Sequence, residues 1–260
     1  MAENALSEVV FTEVRNPSPT PLRVAVVYGG ALDGATCMAT AYIPGIDADA
    51  LLGQPRPSWA LVAYVGQRVA QALAHLHGQG LLHKRLTSRR VRLGFRGDCI
   101  VTGLRQELKP PDDYDGPLLF WPTKHEVVFL SPEQIRQTPL TPRSDLYALG
   151  VLLWQLSTGK VLFSGTHIPE ILFQAMTAPV PRLLEVEPTA PPELATLVHR
   201  LLEKEAANRP EAASEVASAL GAIATGLAPH PGASYGPLEL IKELRGRFPA
   251  RYITEMESLA

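Results

Sequence analysis

Cysteine is nearly absent from this chain. Cys37 and Cys99 are the two present, far apart in sequence. They cannot build a disulfide framework, which suits a reducing compartment such as the cytoplasm. Charge of one sign is lacking too. Acidic and basic residues number 26 and 24, and charged residues make up only 19% of the chain. A bulk attraction to nucleic acid or to an anionic membrane is therefore excluded. Long apolar runs are missing: Leu146 to Trp154, counted with glycine allowed and exceeded by none, is far too short to span a bilayer. The N-terminus, opening Met1-Ala2-Glu3-Asn4, shows no basic region followed by an apolar run, so no secretory signal is expected. No repeat of fixed period occurs. No G-x-S-x-G elbow supports hydrolase chemistry. His75, His77 and His83 match no structural zinc spacing and have no cysteine nearby, so no metal site is assigned. No lysine precedes Lys84.

What is present points to a folded α+β protein. The 260 residues suffice for one domain, or one domain with an appendage, and an apolar content of 46% can fill a core. The 24 prolines imply long connections. Residues 5–15 read as a short helix, with Leu6, Val9, Val10 and Val14 on one side. Two strand-like runs follow, Leu22–Tyr28 and Thr36–Tyr42, separated by the glycine-rich turn Gly29 to Gly34. Ser58 is a candidate N-cap for a helix whose Leu61, Val65, Val69 and Leu73 repeat every fourth residue, with Gly78 and Gly80 as its stop. A second strong helix is predicted over 143–158. It is apolar on every face from Leu146 to Trp154, so it belongs inside protein, and Gly159 ends it. Weaker helices are predicted over 168–177, 191–203 and 211–224. Short β pieces (Val91–Leu93, Cys99–Val101) and a long irregular stretch over 103–130 lie between the two strong helices.

Five ordered fragments carry a family resemblance. They are Leu76-His77-Gly78-Gln79-Gly80-Leu81-Leu82-His83; His83-Lys84-Arg85-Leu86-Thr87-Ser88-Arg89-Arg90-Val91; Ser131-Pro132-Glu133; Asp145-Leu146-Tyr147-Ala148-Leu149-Gly150; and Asn208-Arg209-Pro210. The second stands where H-R-D-L-x-x-x-N is expected and the third in the place of A-P-E. Over residues 58–224 the chain resembles the large lobe of a eukaryotic-type (Hanks-type) serine/threonine protein kinase. The resemblance implies a mainly helical large lobe over 58–226, a truncated small-lobe remnant over 1–57 with a two-stranded hairpin, and an amphipathic tail over 227–260. In that frame residues 5–15 resemble the end of the regulatory helix, with Glu8 or Glu13 as its pairing acid.

The resemblance also says which chemistry is missing. Kinase catalysis is positioning and charge stabilisation around Mg–ATP. At the position of the proton-accepting carboxylate stands Arg85, at the metal-holding amide Arg90, and at the magnesium-holding acid of D-F-G Gly103, or Val101 if the alignment is shifted by two. The phosphate-gripping small-lobe lysine and the G-x-G-x-x-G loop have no counterpart. His83, Glu133, Asp145, Gly150 and Arg209 match positions that hold the lobe together: Glu133 and Arg209 as an internal ion pair, Asp145 as the anchor of the catalytic loop. This is similar to a pseudokinase, with no Mg–ATP cofactor and no metal.

Several readings stay open at the level of sequence. Lys84, Arg85, Arg89, Arg90, Arg92 and Arg96 form a basic cluster. Arg85, Arg89 and Arg90 are candidates for an anion site; the alternative is a solvated face paired locally with acids such as Asp98. Tyr114 and Thr123 are either phosphorylation sites or ordinary exposed residues, and Asp112, Asp113 and Asp115 either plug the basic cleft or do not. In the tail, Leu238, Ile241, Leu244 and Phe248 form one stripe and Tyr252, Ile253, Met256 and Leu259 another. They dock another protein or pack on the chain's own lobe. Ile171, Leu172 and Phe173, with Leu238, Ile241 and Leu244, are the candidate interaction surface. The expected function is a regulatory or scaffolding module binding another protein, an active protein kinase or its substrate. The alternative is a divergent kinase or other nucleotide-dependent transferase in which Asp98, Asp112 or Asp113 supplies metal ligands. A phosphate-binding module is the third.

Overall fold

The computed structural model describes residues 26–32, 35–40, 42–53, 55–103, 123–227 and 235–257. The predicted helix over 5–15, with Glu8 and Glu13, lies outside them, as do Asp112, Asp113, Tyr114 and Asp115. The first two strands, β1 (Val26–Leu32) and β2 (Ala35–Thr40), pair antiparallel as a hairpin. Their position differs from the sequence expectation. Gly29 and Gly30 lie inside β1, opposite Met38 and Cys37, and Leu32 faces Ala35. Only two residues then separate the strands, and the Asp33-Gly34 dipeptide is a strong two-residue hairpin signal that the glycine-rich reading overlooked.

A second sheet of three antiparallel strands has the order β3 (Gly45–Asp47), β4 (Val91–Gly94), β5 (Cys99–Val101). Residues 45–47, which the sequence reading places in the segment 1–57, pair with β4.

Helix α1 (Trp59–Gly78) starts where expected: the Ser58 side chain accepts from the Leu61 N–H. Its apolar stripe packs on α4 (Pro142–Thr158) and α8 (Ala213–Gly226). Every residue of α4 from Ser144 to Thr158 is buried, as its all-round apolar sequence requires, and Gly159 closes it in the left-handed region (φ 67°). A Cβ on Gly150 would lie 2.8 Å from the Leu201 Cβ, so this glycine permits the close passage of α4 against α7 (Pro192–Leu201). The remaining helices are α2 (Lys124–Val127), α3 (Pro132–Ile135), α5 (Ile168–Thr177), α6 (Leu183–Val186), α9 (Pro237–Arg247) and α10 (Pro249–Glu257). The fold is α+β, mostly helical, with a reduced two-stranded hairpin. Helix α2 interrupts what sequence assigned to an irregular stretch. A capping box forms it: Thr123 Oγ1 accepts from the Glu126 N–H, and the Glu126 carboxylate accepts from the Thr123 N–H.

Two expectations about surfaces are corrected. Ile171 is 2% exposed and belongs to the core, whereas Phe173 on the same helix is 67% exposed; Leu172 is half-buried against the core. In the tail the buried residues are Leu240 and Leu244, both fully enclosed, while Leu238 is exposed and Ile241 half-buried. Four apolar residues within seven positions admit more than one stripe, and polar ties choose between them. Glu243 accepts from the Ser58 N–H, the Ser58 hydroxyl and the Tyr235 hydroxyl. Arg247 donates to the carbonyls of Pro55 and Arg56. Glu255 accepts from the Gly45 N–H and the Tyr42 hydroxyl, and Tyr252 stands edge-on to Phe95. The tail thus clasps the segments 42–45 and 55–58 of its own chain.

No described helix is long and apolar enough to cross a membrane.

Candidate functional site

The site is built on the loop between α1 and β4. Asp145 sits in the first turn of α4, 2% exposed, where the helix dipole favours a negative charge. Its carboxylate accepts from the N–H groups of His83 (2.9 Å) and Lys84 (2.7 Å) and from His77 Nε2 (2.8 Å). These bonds hold Lys84 in the left-handed region, at φ 64°. His83 Nε2 lies 3.1 Å from the Thr102 carbonyl, and its Nδ1 accepts from the Arg85 N–H. That pair of bonds requires the neutral tautomer with hydrogen on Nε2, and burial pushes the imidazole pKa down. Gln134 of α3 donates to the Lys84 carbonyl at 2.7 Å. Asp145 and His83 therefore hold the loop.

Beneath the loop, Glu133 and Arg209 form a two-armed ion pair at 2.7 and 2.9 Å. The guanidinium also donates to the carbonyls of Glu203, Arg143 and Lys204 and lies over the Tyr147 ring. Burial pushes the Glu133 pKa up, but the Arg209 bonds outweigh it and the net shift is down.

The loop presents Arg85 and Arg90 to one acceptor. Arg85 Nη2 donates to Glu126 Oε1 at 2.8 Å and Arg90 Nη2 donates to the same oxygen at 3.0 Å. Burial raises the Glu126 pKa; the Thr123 N–H and then the two guanidinium groups overcome that and bring it down to about 2. Arg90 Nη1 also donates to the Gly103 carbonyl at 3.2 Å. Gly103 has φ 78°, and a Cβ there would collide with the Arg90 guanidinium, so glycine is what admits this arrangement. The space beside the cluster is small, about 30 Å³, lined by Lys84, Arg85, Leu86, Thr87, Glu126, Phe129 and Leu130. That holds about one water molecule.

Arg89 stands apart. Its side chain is 61% exposed and pairs with Asp49 at 3.1 Å. The structure thus brings two of the three anion-site candidates together and leaves the third on another face. Asp49 also accepts from the Ser88 hydroxyl, and His125 Nε2 lies 3.0 Å from both Asp49 Oδ1 and Ser88 Oγ. A hydrolase relay needs the two ring nitrogens to face hydroxyl and carboxylate separately. Here one nitrogen faces both and Ser88 is fully buried, so the trio is a structural tie between α2 and the loop.

The residues at the three family positions do not fit a magnesium ion, which takes oxygen donors. Two are guanidinium groups, and the Gly103 carbonyl is engaged by Arg90. Among the described residues no group of three or more His, Cys, Asp or Glu side chains could hold a metal. Asp98 lies near the turn of the β4–β5 hairpin, at the opposite end from Arg90 and Gly103. Sequence reasoning missed Glu126, Asp49 and His125. The Thr123-x-x-Glu126 capping signature was readable and marks α2, though not the partners of Glu126. A larger cavity of about 790 Å³ lies elsewhere, lined by α6, α7 and the residues flanking them, including Arg182, His199, Arg200 and Glu203.

Comparison with known proteins extends these findings. Residues 20–220 match the family model described as protein tyrosine and serine/threonine kinase. The chain is 30% identical over 210 residues to the serine/threonine-protein kinase pkn3 of Myxococcus xanthus, covering 75% of this chain and 38% of that one. It is 31% identical over 216 residues to pkn2 of the same organism, covering 80% and 26%. To the serine/threonine-protein kinase PknL of Mycobacterium tuberculosis it is 31% identical over 176 residues, covering 67% and 43%. The matched segments thus span less than half the length of each of these relatives.

Proposed function

The chain belongs to the protein tyrosine and serine/threonine kinase family, and from that premise we propose that it is a kinase-like regulatory or scaffolding protein that transfers no phosphoryl group. The observation that carries this reading is the Arg85–Glu126–Arg90 cluster. Phosphoryl transfer in this fold uses carboxylate and amide oxygens to orient the attacking hydroxyl and to hold metal ions. Guanidinium groups can do neither: each is a permanent cation with donors only. The scaffold beneath them is intact, from the Asp145 anchor to the Glu133–Arg209 pair. A lobe kept folded around a cleft whose described family positions offer no metal donors suits binding to another protein, an active kinase or its substrate. The reading needs no cofactor, nucleic acid or membrane and places the protein in the cytoplasm.

A divergent transferase is the second reading, favoured by the serine/threonine kinases among the relatives. Asp98 is at the wrong end of its hairpin for that role, and Asp112 and Asp113 lie outside the described residues. The deciding experiment incubates the full chain with γ-labelled ATP, magnesium or manganese, and protein substrates. No incorporation above a no-protein control is expected. Incorporation that disappears on Asp112→Asn or Asp113→Asn would overturn the regulatory reading in favour of the transferase.

A further inference from the structure

We propose that Arg85 and Arg90 form a seat for a phosphomonoester group, occupied in the unliganded chain by the Glu126 carboxylate and taken over by an incoming phosphate that displaces this side chain. The proposal deepens the regulatory reading of the cleft and rests on it.

Two guanidinium groups converge on one anionic oxygen, Glu126 Oε1, from loop positions five residues apart. The two sides of this contact are anchored very differently. The Arg90 carbonyl accepts from both the Thr102 N–H (2.7 Å) and the Thr102 hydroxyl (3.3 Å), and its Nη1 is tied to Gly103. The Arg85 N–H is tied to His83, in a loop pinned by Asp145 at the head of the central helix. The cations therefore belong to the scaffold. Helix α2 itself is fixed, with Val127 fully buried and Lys124 Nζ donating to the Thr166 carbonyl, but the Glu126 side chain reaches the loop through its carboxylate alone and can rotate away. An exchange at this site moves the anion and leaves the cations in place.

The chemistry of the seat selects the ligand. A phosphomonoester brings a charge of about −1.5 to −2 at neutral pH and three acceptor oxygens, against one charge and two oxygens from Glu126. Arginine is suited to such planar, two-point recognition, and its charge-assisted bonds to phosphate are among the strong hydrogen bonds. The space freed by Glu126 and the adjoining cavity of about 30 Å³ suit one phosphoryl group rather than a polyphosphate chain. The group can come from a phosphorylated side chain or from a nucleoside monophosphate. Arg89, engaged by Asp49 and largely exposed, is not part of the seat.

The test is a calorimetric titration of the full chain with inorganic phosphate, at fixed ionic strength and without metal. Glu126→Gln removes the competing charge while keeping a side chain able to close the capping box. This variant is expected to bind phosphate at least about tenfold tighter than the natural chain, because a like charge at hydrogen-bond distance no longer competes. Adding Arg90→Gln to it is expected to reverse the gain. Equal affinity of the natural chain and the Glu126→Gln variant, or binding untouched by Arg90→Gln, overturns the proposal. If a variant fails to fold, the natural chain decides by NMR. Phosphate, but not chloride at equal ionic strength, must shift the Arg85 and Arg90 side-chain NεH signals, and no shift overturns the seat. Parallel titrations with a phosphothreonine peptide and with adenosine monophosphate identify the source, and the proposal requires one of them to bind through Arg90. Because no metal is present, label transfer in the kinase assay would sink the regulatory reading by itself, and a failed titration would sink the seat by itself.

Discussion

The Glu133 carboxylate meets the Arg209 guanidinium through two parallel hydrogen bonds, joining residues 76 positions apart in a place where the arginine side chain has no exposure. The first turn after the cleft is thereby fastened to the far end of the lobe. Removing one partner leaves the other charged and enclosed, a loss of roughly 3–5 kcal/mol by the behaviour of buried ion pairs. Glu133→Ala is therefore expected to lower unfolding free energy by about that amount in urea titrations. Replacing both partners with apolar residues is expected to cost clearly less than the single change. A Glu133→Ala variant within about 0.5 kcal/mol of the natural chain, the range of ordinary surface changes, would show that the pair contributes little.

How much of this was legible before the structure depended on the range of the interaction. The fourfold repeat from Leu61 to Leu73 and the Ser58 cap are local, and α1 begins where they place it. The all-apolar face of 146–154 put α4 in the centre of the lobe, where it lies. Glu133, Asp145 and Arg209 were placed by family resemblance, which stands in for the long-range geometry no local pattern contains. Glu126 had no such help. Its partners are 36 and 41 residues away, and nothing in the local sequence of either segment says that they meet. The basic cluster was visible as composition, but its division into a convergent pair on Glu126 and a separate Arg89–Asp49 contact appears only when the chain is folded. The buried face of α9 failed for the opposite reason, because the local pattern offered too many answers.

The Glu126 cluster makes the protein acid-sensitive in a defined window. Its carboxyl titrates near 2 in the folded chain against an ordinary 4.5. A depressed folded pKa means that the unfolded state binds protons more readily as pH falls. The stabilisation is complete above the unfolded value and declines as pH drops from about 5 towards about 2. Urea unfolding followed across that range should show a falling midpoint in the natural chain and a shallower fall in Glu126→Gln, whose amide cannot titrate. Parallel slopes for the two proteins would show that the cluster is already broken in solution above pH 5.

The tail offers a test in which two leucines four apart on one helix side are compared with a neighbour. Leu240 and Leu244 are fully enclosed within the core, and Leu238 is 66% exposed. Truncating a buried leucine loses its transfer free energy and leaves a cavity, together about 2–5 kcal/mol. An exposed leucine contributes within about 0.5 kcal/mol. Leu240→Ala and Leu244→Ala should therefore each destabilise the chain by at least about 2 kcal/mol, and Leu238→Ala should leave the unfolding midpoint unchanged. Helix α9 is also tied down by Glu243 at Ser58 and by Arg247 at the Pro55 and Arg56 carbonyls. Its detachment should accordingly expose the amides around Ser58, and hydrogen exchange there should accelerate in Leu244→Ala. If exchange near Ser58 is unchanged while stability falls, α9 and the start of α1 open separately and the clasp is not cooperative.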